Sequence, residues 1–212
     1  KSVEVIMRDV YYGWLLRYCH TTGASAFFIV LYLHMLRGIM YGSFKDPRQL
    51  LWLTGVTLFL LVMAEAYTGY VLPWGQMSYW AAKVIISLFG AIPWVGKSIV
   101  IWIQGDYTVS GVTLQRFFAF HVVAFPLILL GMVFIHILAL HRFGSNNPDG
   151  IEISKHLGPD GKPIDSIPFH PYYTVKDLMG AAFFLFLFKK TNKTNYKNLA
   201  FPLNLMQFLL LP

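Results

Sequence analysis

The sequence predicts an all-α integral membrane protein, a bundle of spanning helices with short helices at the membrane interface. Apolar residues make up 56% of the 212 residues, and the mean hydropathy is +0.54. Only 13% of the residues are charged, whereas a soluble domain of this length carries about a quarter. Three apolar runs are also long enough, at about 1.5 Å per residue, to cross roughly 30 Å of hydrocarbon. Together these observations predict several membrane spans.

The N-terminal half begins with a surface segment, residues 1–12, that lacks the pattern of a signal peptide. The apolar side chains that share one helical face there are Val3, Ile6, Met7 and Val10. The first span is predicted over about Gly13 to Arg37. A basic loop with the turn-forming Asp46-Pro47 step leads to the second span, predicted over about Leu50 to Leu72, which ends at Pro73.

The connection over residues 73–112 is predicted to form short helices at the interface, within 81–89 and 98–102. Its tryptophans fit the aromatic belt of a membrane, and they are Trp74, Trp80, Trp94 and Trp102. The third span is predicted over about Val112 to Leu140 and includes Pro126. A long polar loop rich in Gly, Pro, Asn and Asp follows it.

Loop charge predicts the orientation of the spans. The loops after the first and third spans carry more Lys and Arg than the 73–112 connection, so they are placed on the cytoplasmic or matrix side. The apolar run 178–188 has eleven residues and is too short to span alone. We therefore treat residues 1–188 as one membrane domain and residues 189–212 as an unassigned tail.

Two pairs of histidines are the strongest functional signal. His20 and His34 bracket an uncharged stretch of the first span, and His121 and His136 bracket another in the third span. The first interval is fourteen residues, which returns to within about 40° of the starting direction and rises about 21 Å along the helix axis. The second is fifteen residues, which returns to within about 60° and rises about 22 Å. Both histidines of each helix therefore face roughly one way, although a histidine in lipid is costly without a partner.

Two such helices, running parallel, would present two facing imidazole pairs at different depths. The outer pair would be His20 with His121, and the inner pair His34 with His136. Bis-imidazole sites saturate haem iron and suit electron transfer, so we predict two haems between parallel helices. Interhelix hydrogen bonding is the alternative for any single histidine, but two matched pairs favour iron ligands. The pairs are too far apart to share one tetrahedral zinc ion.

The cysteine content and the net charge exclude several kinds of site and partner. Cys19 is the single cysteine, which excludes a disulfide framework, a thiolate metal cluster and the C-x-x-C-H signature of covalently attached haem. The haems would therefore be non-covalent. The net charge of +7 does not predict nucleic acid as a partner, because Lys and Arg lie beside apolar spans and in loops rather than on one basic face.

Glycines and arginines near the histidines support the haem prediction. Gly55 and Gly69 on the second span are fourteen residues apart, and glycine lets a flat macrocycle approach a helix closely, although membrane helices contain many glycines. Three arginines lie beyond the predicted haems toward an interface, where they would pair with propionates or simply reach water. They are Arg17, Arg37 and Arg116.

The sequence also resembles a known family, and five segments carry the resemblance: RYCHTTGASAFFIVLYLHMLRG, GYVLPWGQMSYWAA, QRFFAFHVVAFPL, HRFGSNNPDG and HPYYTVKD. They resemble cytochrome b, the haem-bearing core of respiratory quinol–cytochrome c reductase (Complex III), over about residues 3–188. The resemblance implies a bacterial inner-membrane or mitochondrial inner-membrane subunit that is not active alone. Its implied partners are a Rieske iron–sulfur protein, a cytochrome c-type subunit and the remainder of cytochrome b, in a dimeric complex.

The resemblance also implies a mechanism. Quinol is oxidised at the outer face, one electron passes to the Rieske protein, and the other crosses the two b haems to reduce quinone at the inner face, coupled to proton translocation. His20 and His121 correspond to ligands of the low-potential haem, and His34 and His136 to ligands of the high-potential haem. Further positions that match haem-contacting residues of the family are Arg17, Arg37, Arg116, Gly55 and Gly69.

Two quinone sites are implied as well. The outer, quinol-oxidising site is matched by Tyr67, Tyr70, Pro73, Trp74, Gly75, Trp80 and Ile85. The inner, quinone-reducing site is matched by His141, Ser145, Lys176 and Asp177. We expect His141, Asp177 and Lys176 to be catalytic, since a reduced quinone needs protons that His141 and Asp177 are able to supply. Glu65, an acid at membrane depth, is expected to pack near the outer site rather than to act in catalysis.

The sequence departs from the family pattern at both ends. The family's first transmembrane helix and its C-terminal half are not found, and the fifth family helix starts at Asp177–Leu178 but gives way to KKTNKTNYKN. We therefore expect an internal piece of cytochrome b with an altered tail. The alternatives are the cytochrome b subunit of the photosynthetic plastoquinol-oxidising complex, the diheme anchor of hydrogenases or formate dehydrogenases, and a non-catalytic fragment that binds no haem.

Overall fold

The described part of the chain is helical, which confirms the all-α prediction. The computed structural model describes residues 2–164 and 166–197, with side chains as far as Phe188. In that part the α-helices are α1 (Ser2–Arg8), α2 (Gly13–Met40), α3 (Gln49–Val71), α4 (Gln76–Leu88), α5 (Gly96–Gln104), α6 (Gly111–Ala119), α7 (Phe125–Phe143) and α8 (Tyr172–Lys197). Shorter turns are the 3₁₀ turns Phe89–Ala91 and Ile153–Lys155 and the π turn Phe120–Ala124.

Among the described residues, three helical stretches have the length and composition to cross a membrane: Gly13–Met40, Gln49–Val71 and Gly111–Phe143. Their ends differ from the three predicted spans by at most three residues. Most of their large apolar side chains are exposed, as expected for surfaces that face lipid rather than a water-excluded protein core. The prediction of a multi-pass membrane protein is thereby confirmed.

The segments outside the spans were predicted less well. The 73–112 connection does form short helices, α4 and α5, but α4 already begins at Gln76 and so includes the second half of the PWGQMS segment. The last helix, α8, is continuous from Tyr172 to Lys197. The prediction that this helix gives way after residue 188 was wrong for 189–197, where lysines permit helix. The rest of the predicted tail lies outside the described residues.

The chain divides into two compact units. The first contains residues 1–43 and the chain from 146 onward, with α1, α2 and α8. Tyr12 adopts a left-handed conformation, φ 57°, at the junction of α1 and α2. Gly13 then approaches the carbonyl group of Ile6, where a Cβ would lie 2.8 Å from the carbonyl carbon. Asn146 Nδ2 donates to the carbonyl oxygen of Tyr41 at 2.7 Å, beyond the end of α2.

The second unit, residues 44–145, contains α3 to α7. Helix α3 packs along α7, and α4 folds back against the C-terminal end of α3. The buried residues there are Val71, Ala82, Ile86, Val109 and Phe117. Two polar bonds support this packing: Tyr67 Oη donates to the carbonyl oxygen of Ala82 at 3.2 Å, and Ser78 Oγ donates to that of Tyr70 at 2.8 Å. The turn after α3 is therefore held rigidly against the span.

Helix α6 starts the third span at a defined point. Ser110 caps its N-terminus, and Ser110 and Thr113 satisfy each other's backbone in a capping box. The buried hydroxyl of Thr113 also donates to the carbonyl oxygen of Gln104 at 2.8 Å, which joins α6 to the end of α5. These bonds set the register of the residues that follow in the span.

Arg48 joins the beginning of α3 to the end of α7. Its guanidinium donates to three consecutive carbonyl oxygens, those of Phe143 (3.4 Å), Gly144 (3.0 Å) and Ser145 (3.3 Å). The last carbonyl groups of a helix have no partner within the helix, and a cation also complements the helix dipole there. Only 5% of Arg48 is exposed, so this charged cap is shielded from water.

We predict that Arg48→Gln lowers the melting temperature of the detergent-solubilised protein. A hydrogen bond from a charged group contributes on the order of 1.5–3 kcal/mol, and the variant removes the charged donor that the three carbonyl groups share. Lys45→Gln removes an exposed cation three residues away and is the matched control. Equal melting temperatures for the two variants would contradict this role of Arg48.

Candidate functional site

Two imidazoles from the third span are hydrogen-bonded to α3 at two levels. His121 Nδ1 lies 2.9 Å from the carbonyl oxygen of Glu65 and 3.1 Å from Oε1 of the same residue. His136 Nδ1 lies 2.9 Å from Oγ1 of Thr54. All four residues belong to the second unit. The second span therefore determines the orientation of both rings.

These hydrogen bonds also define the tautomer of each imidazole. A carbonyl oxygen only accepts, so Nδ1 of His121 carries the proton. The Thr54 hydroxyl donates its one proton to the carbonyl oxygen of Leu51 at 2.9 Å, and it therefore accepts from Nδ1–H of His136. In its neutral form, each ring therefore has its lone pair on Nε2. This is the tautomer in which histidine binds a metal through Nε2.

Gly69 and Gly55 make room for the two rings on α3. A Cβ at position 69 would lie 2.8 Å from Nδ1 of His121, and one at position 55 would lie 3.2 Å from Cε1 of His136. The first distance is incompatible with a side chain, and the second requires a shift of the ring. The glycines that were predicted to pack against a macrocycle thus contact the imidazoles in this structure.

A π turn explains why the two histidine intervals differ by one residue. The N–H of Phe125 bonds to the carbonyl oxygen of Phe120, five residues back, within the π turn Phe120–Ala124 that contains His121. Such a turn holds one more residue than an α-helical turn, and Pro126, which has no N–H, lies two residues after its end. The fifteen-residue interval therefore rotates like a fourteen-residue interval, which corrects the phase of about 60° expected for a regular helix.

The other two histidines lie on α2 in the first unit. This helix is continuous from Gly13 to Met40, so His20 and His34 are about 21 Å apart along its axis. Both side chains are exposed on the helix surface. In the described residues, no group of three or more His, Cys, Asp or Glu side chains is arranged to hold a metal ion. The pairing of α2 histidines with those of the third span remains a prediction.

The predicted arginine contacts to propionates also stay predictions. Arg37 lies over the ring of Tyr41, 5.2 Å from its centroid. Arg116 donates to the carbonyl oxygen of Trp102, and Arg17 is half-buried on α2. Each cation lies within one or two turns of a histidine in the sequence, as the prediction requires.

The predicted outer quinone residues lie on one continuous stretch, from the end of α3 through the turn to α4. The structure brings Tyr67 and Trp74 against the buried cluster of this unit, while Ile85 and Trp80 are exposed on α4. Tyr79, which the sequence did not single out, packs edge-on against both Trp74 (5.9 Å) and Trp80 (5.4 Å). Of the remaining members, Tyr70 lies in the last turn of α3, and Pro73 and Gly75 lie in the turn that follows.

The predicted inner quinone residues are divided between the two units. His141 is exposed in the last turn of α7, and the carbonyl group of Ser145 accepts from Arg48. Lys176 and Asp177 are exposed side chains on α8. None of these four side chains has a described contact with another, so the inner site stays a prediction.

Sequence reasoning missed the hydrogen-bond acceptors on α3. Thr54 precedes Gly55, and Thr68 precedes Gly69, so a Thr-Gly pair repeats at the histidine interval. Both hydroxyl groups are buried and donate to carbonyl oxygens three residues back, at 2.9 Å. This repeat was the available signal. Sequence reasoning also missed the contact of Glu65 with His121, and the expectation that Glu65 packs near the outer quinone site stays a prediction.

The fold and the site together define the class of the protein: a multi-pass membrane protein whose spans carry imidazoles in the metal-binding tautomer. Residues 1–144 match the family model described as cytochrome b/b6/petB. The chain therefore belongs to this cytochrome b family. This confirms the resemblance found in the sequence segments.

Individual relatives agree with the family match. The chain is 60% identical to cytochrome b of Allochromatium vinosum over 193 residues, which cover 88% of this chain and 46% of that protein. It is 55% identical to cytochrome b of Rickettsia typhi over 188 residues, 89% of this chain and 45% of that protein. The chain thus spans about half the length of the curated relatives it matches.

A solved structure described as hyperthermophilic respiratory Complex III is also similar. It superposes with a TM-score of 0.78 at 38% sequence identity, covering 89% of this chain and 49% of that chain. This similarity extends the family match from sequence to the helical fold.

We predict a graded response to alanine at three glycines. Gly69→Ala forces His121 off α3 and lowers the melting temperature of the detergent-solubilised protein most, and Gly55→Ala lowers it less. Gly131→Ala has nothing within 4 Å of the new Cβ and is the control, which leaves stability unchanged or slightly raises it. Equal melting temperatures for Gly69→Ala and Gly131→Ala would refute the close packing of His121 on α3.

Proposed function

We propose that this chain is the haem-bearing part of the cytochrome b subunit of a quinol–cytochrome c oxidoreductase. The observation that carries the proposal is the pair of α3 hydrogen bonds that hold His121 and His136 with their lone pairs on Nε2. A histidine that only joins two helices by a hydrogen bond does not need the same tautomer at both levels. A histidine that binds iron does, because its Nε2 must carry the lone pair. The names of the relatives and of the similar complex support the assignment.

The residues present fit a non-covalent haem b at each level. His121 with His20 would hold the outer group, and His136 with His34 the inner one. The face of α3 at positions 55 and 69 suits a flat group, because glycine has no side chain that would project there. When bound, haem would supply a one-electron carrier, which these histidines would hold. The histidines fix each group's depth, and the arginines toward each interface would pair with its propionates.

The two quinone sites extend the proposal to the substrates. At the outer side, the rigid turn after α3 and the aromatic side chains Tyr67, Trp74 and Trp80 would form an apolar wall that excludes water from the quinol ring. At the inner side, His141 and Asp177 would give protons to the reduced quinone oxygens, and Lys176 would hold Asp177 or a quinone oxygen by charge. Release outside and uptake inside then couple electron transfer to proton translocation.

The proposed surroundings follow from the family. The chain would work beside the remainder of cytochrome b, a Rieske iron–sulfur protein and a cytochrome c-type subunit, in a dimeric complex. Its membrane would be the bacterial inner membrane or the mitochondrial inner membrane. The apolar, lipid-facing surfaces of the three spans support membrane insertion.

A difference spectrum tests the proposal directly. The chain is expressed in membranes, and the dithionite-reduced minus oxidised spectrum is recorded during a redox titration. We expect b-type haem bands that titrate in two steps. A flat spectrum would refute haem binding and leave only the alternative of a fragment without a cofactor.

Single histidine substitutions are expected to remove one haem each. His121→Leu abolishes the component of lower potential and His136→Leu the component of higher potential, because each removes one axial ligand. The spectrum of His156→Gln, which changes an exposed loop histidine, is the control and keeps both components. Full haem content in His121→Leu would show that this residue is not a ligand.

Substitutions at the inner site are expected to separate proton supply from haem binding. His141→Leu and Asp177→Asn keep both haem components but slow reoxidation of the inner haem by a water-soluble ubiquinone analogue by roughly 10²-fold, a typical loss for a removed general acid. Stopped-flow absorbance measures the rate, with His156→Gln as reference. Unchanged rates in both variants would show that His141 and Asp177 are not part of the inner quinone site.

A further inference from the structure

The two imidazoles differ in the chemistry of the acceptor that faces Nδ1. His136 donates to a neutral hydroxyl, that of Thr54, at 2.9 Å. His121 faces a carboxylate, with Oε1 of Glu65 at 3.1 Å, in addition to the carbonyl group of the same residue at 2.9 Å. The geometry is otherwise matched, since both acceptors belong to α3 and lie next to or near a glycine that contacts the ring.

Glu65 is placed for this one contact. It lies inside the second span, six residues from its C-terminal end, where an acid is costly unless it has a function or a partner. Its Oε1 is directed at His121. Its other oxygen, Oε2, is buried without a hydrogen-bond partner in the described part of the chain. No described basic side chain bonds to Glu65, so its interaction is directed at the imidazole.

A carboxylate that accepts Nδ1–H changes the ligand's electronic character. It draws the proton away from the ring and makes Nε2 a stronger donor, as in the carboxylate–histidine–metal arrangement. The negative charge also favours the more positive, oxidised state of a metal centre on the other side of the ring, and more strongly where water is excluded. Both effects lower a reduction potential. A neutral hydroxyl produces neither to the same degree.

We propose that Glu65 is a positioning residue that lowers the reduction potential of the outer haem relative to the inner haem, through its contact with Nδ1 of His121. This inference rests on the proposed function, since it requires His121 to be a haem ligand. The asymmetry between Glu65 and Thr54 gives a downhill direction for electrons from the outer level to the inner level. This asymmetry arises from two residues of one helix, Glu65 and Thr54 of α3.

The test is a potentiometric titration of the haem-loaded chain in membranes, followed by visible spectra and by electron paramagnetic resonance of the oxidised protein. Glu65→Gln keeps the size of the side chain and the backbone carbonyl but removes the charge. Glu65→Asp keeps the carboxylate. Thr57→Val is the matched control, because Thr57 is on the same helix and its hydroxyl only donates to the carbonyl oxygen of Leu53.

We expect Glu65→Gln to shift the outer component to a more positive potential, to leave the inner component in place and to change the outer resonance signal alone. Glu65→Asp returns the potential toward that of the parent, and Thr57→Val changes neither component. An unshifted outer component in Glu65→Gln, or equal shifts of both components, would overturn the inference. If Glu65→Gln fails to bind the outer haem, Glu65→Thr decides, because it places a neutral hydroxyl like that of Thr54 at this position: a more positive outer potential supports the role and an unchanged one refutes it.

The same titration separates this inference from the proposed function. A parent protein without two b-type components refutes the function itself. A parent with two components, and a Glu65→Gln variant identical to it, refutes only the role of Glu65.

Discussion

The architecture of the second unit depends on hydrogen bonds between two imidazoles and one neighbouring helix. Helix α3 offers an acceptor to Nδ1 of His121 and of His136, and it has a glycine where each ring approaches. Without the acceptors, a half-buried imidazole at membrane depth would be costly and free to adopt either tautomer. Without the glycines, the rings would not reach the helix. The other contacts of the unit, from the Arg48 cap to the capping box at Ser110, hold α3 and the third span in this register.

Much of this arrangement was predictable from local sequence. Long apolar runs determine the spans because no polar backbone group is tolerated unpaired in lipid. Paired histidines at helical intervals indicate ligands, and Gly55 and Gly69 mark the helix that approaches them. The tautomers were not predictable, since they depend on Thr54 and on the carbonyl group of Glu65, residues more than fifty positions away in the chain. The π turn was not predictable either, because Pro126 is compatible with a kink as well as with one extra residue.

The bounds of helix α8 were not predictable from the apolar pattern. The apolar run covers 178–188 and the resemblance starts a helix at Asp177–Leu178, yet α8 begins at Tyr172 and continues into a polar stretch. Apolar periodicity locates the part of a helix that needs a partner, whereas capping and backbone propensity determine where it starts and stops. The predicted outer quinone residues illustrate the same point. The resemblance implied this set, which stays a prediction, and only the structure placed Tyr79 against both Trp74 and Trp80.

The central claim is that His121 and His136 each present Nε2 to a haem whose second ligand is a histidine of α2. Electron paramagnetic resonance of the oxidised chain tests the ligation most directly, because bis-imidazole coordination makes ferric haem low-spin. The account predicts two distinct low-spin ferric signals in the parent protein. A high-spin haem signal of comparable amount, or a single low-spin signal from a protein that contains two haems, would contradict it.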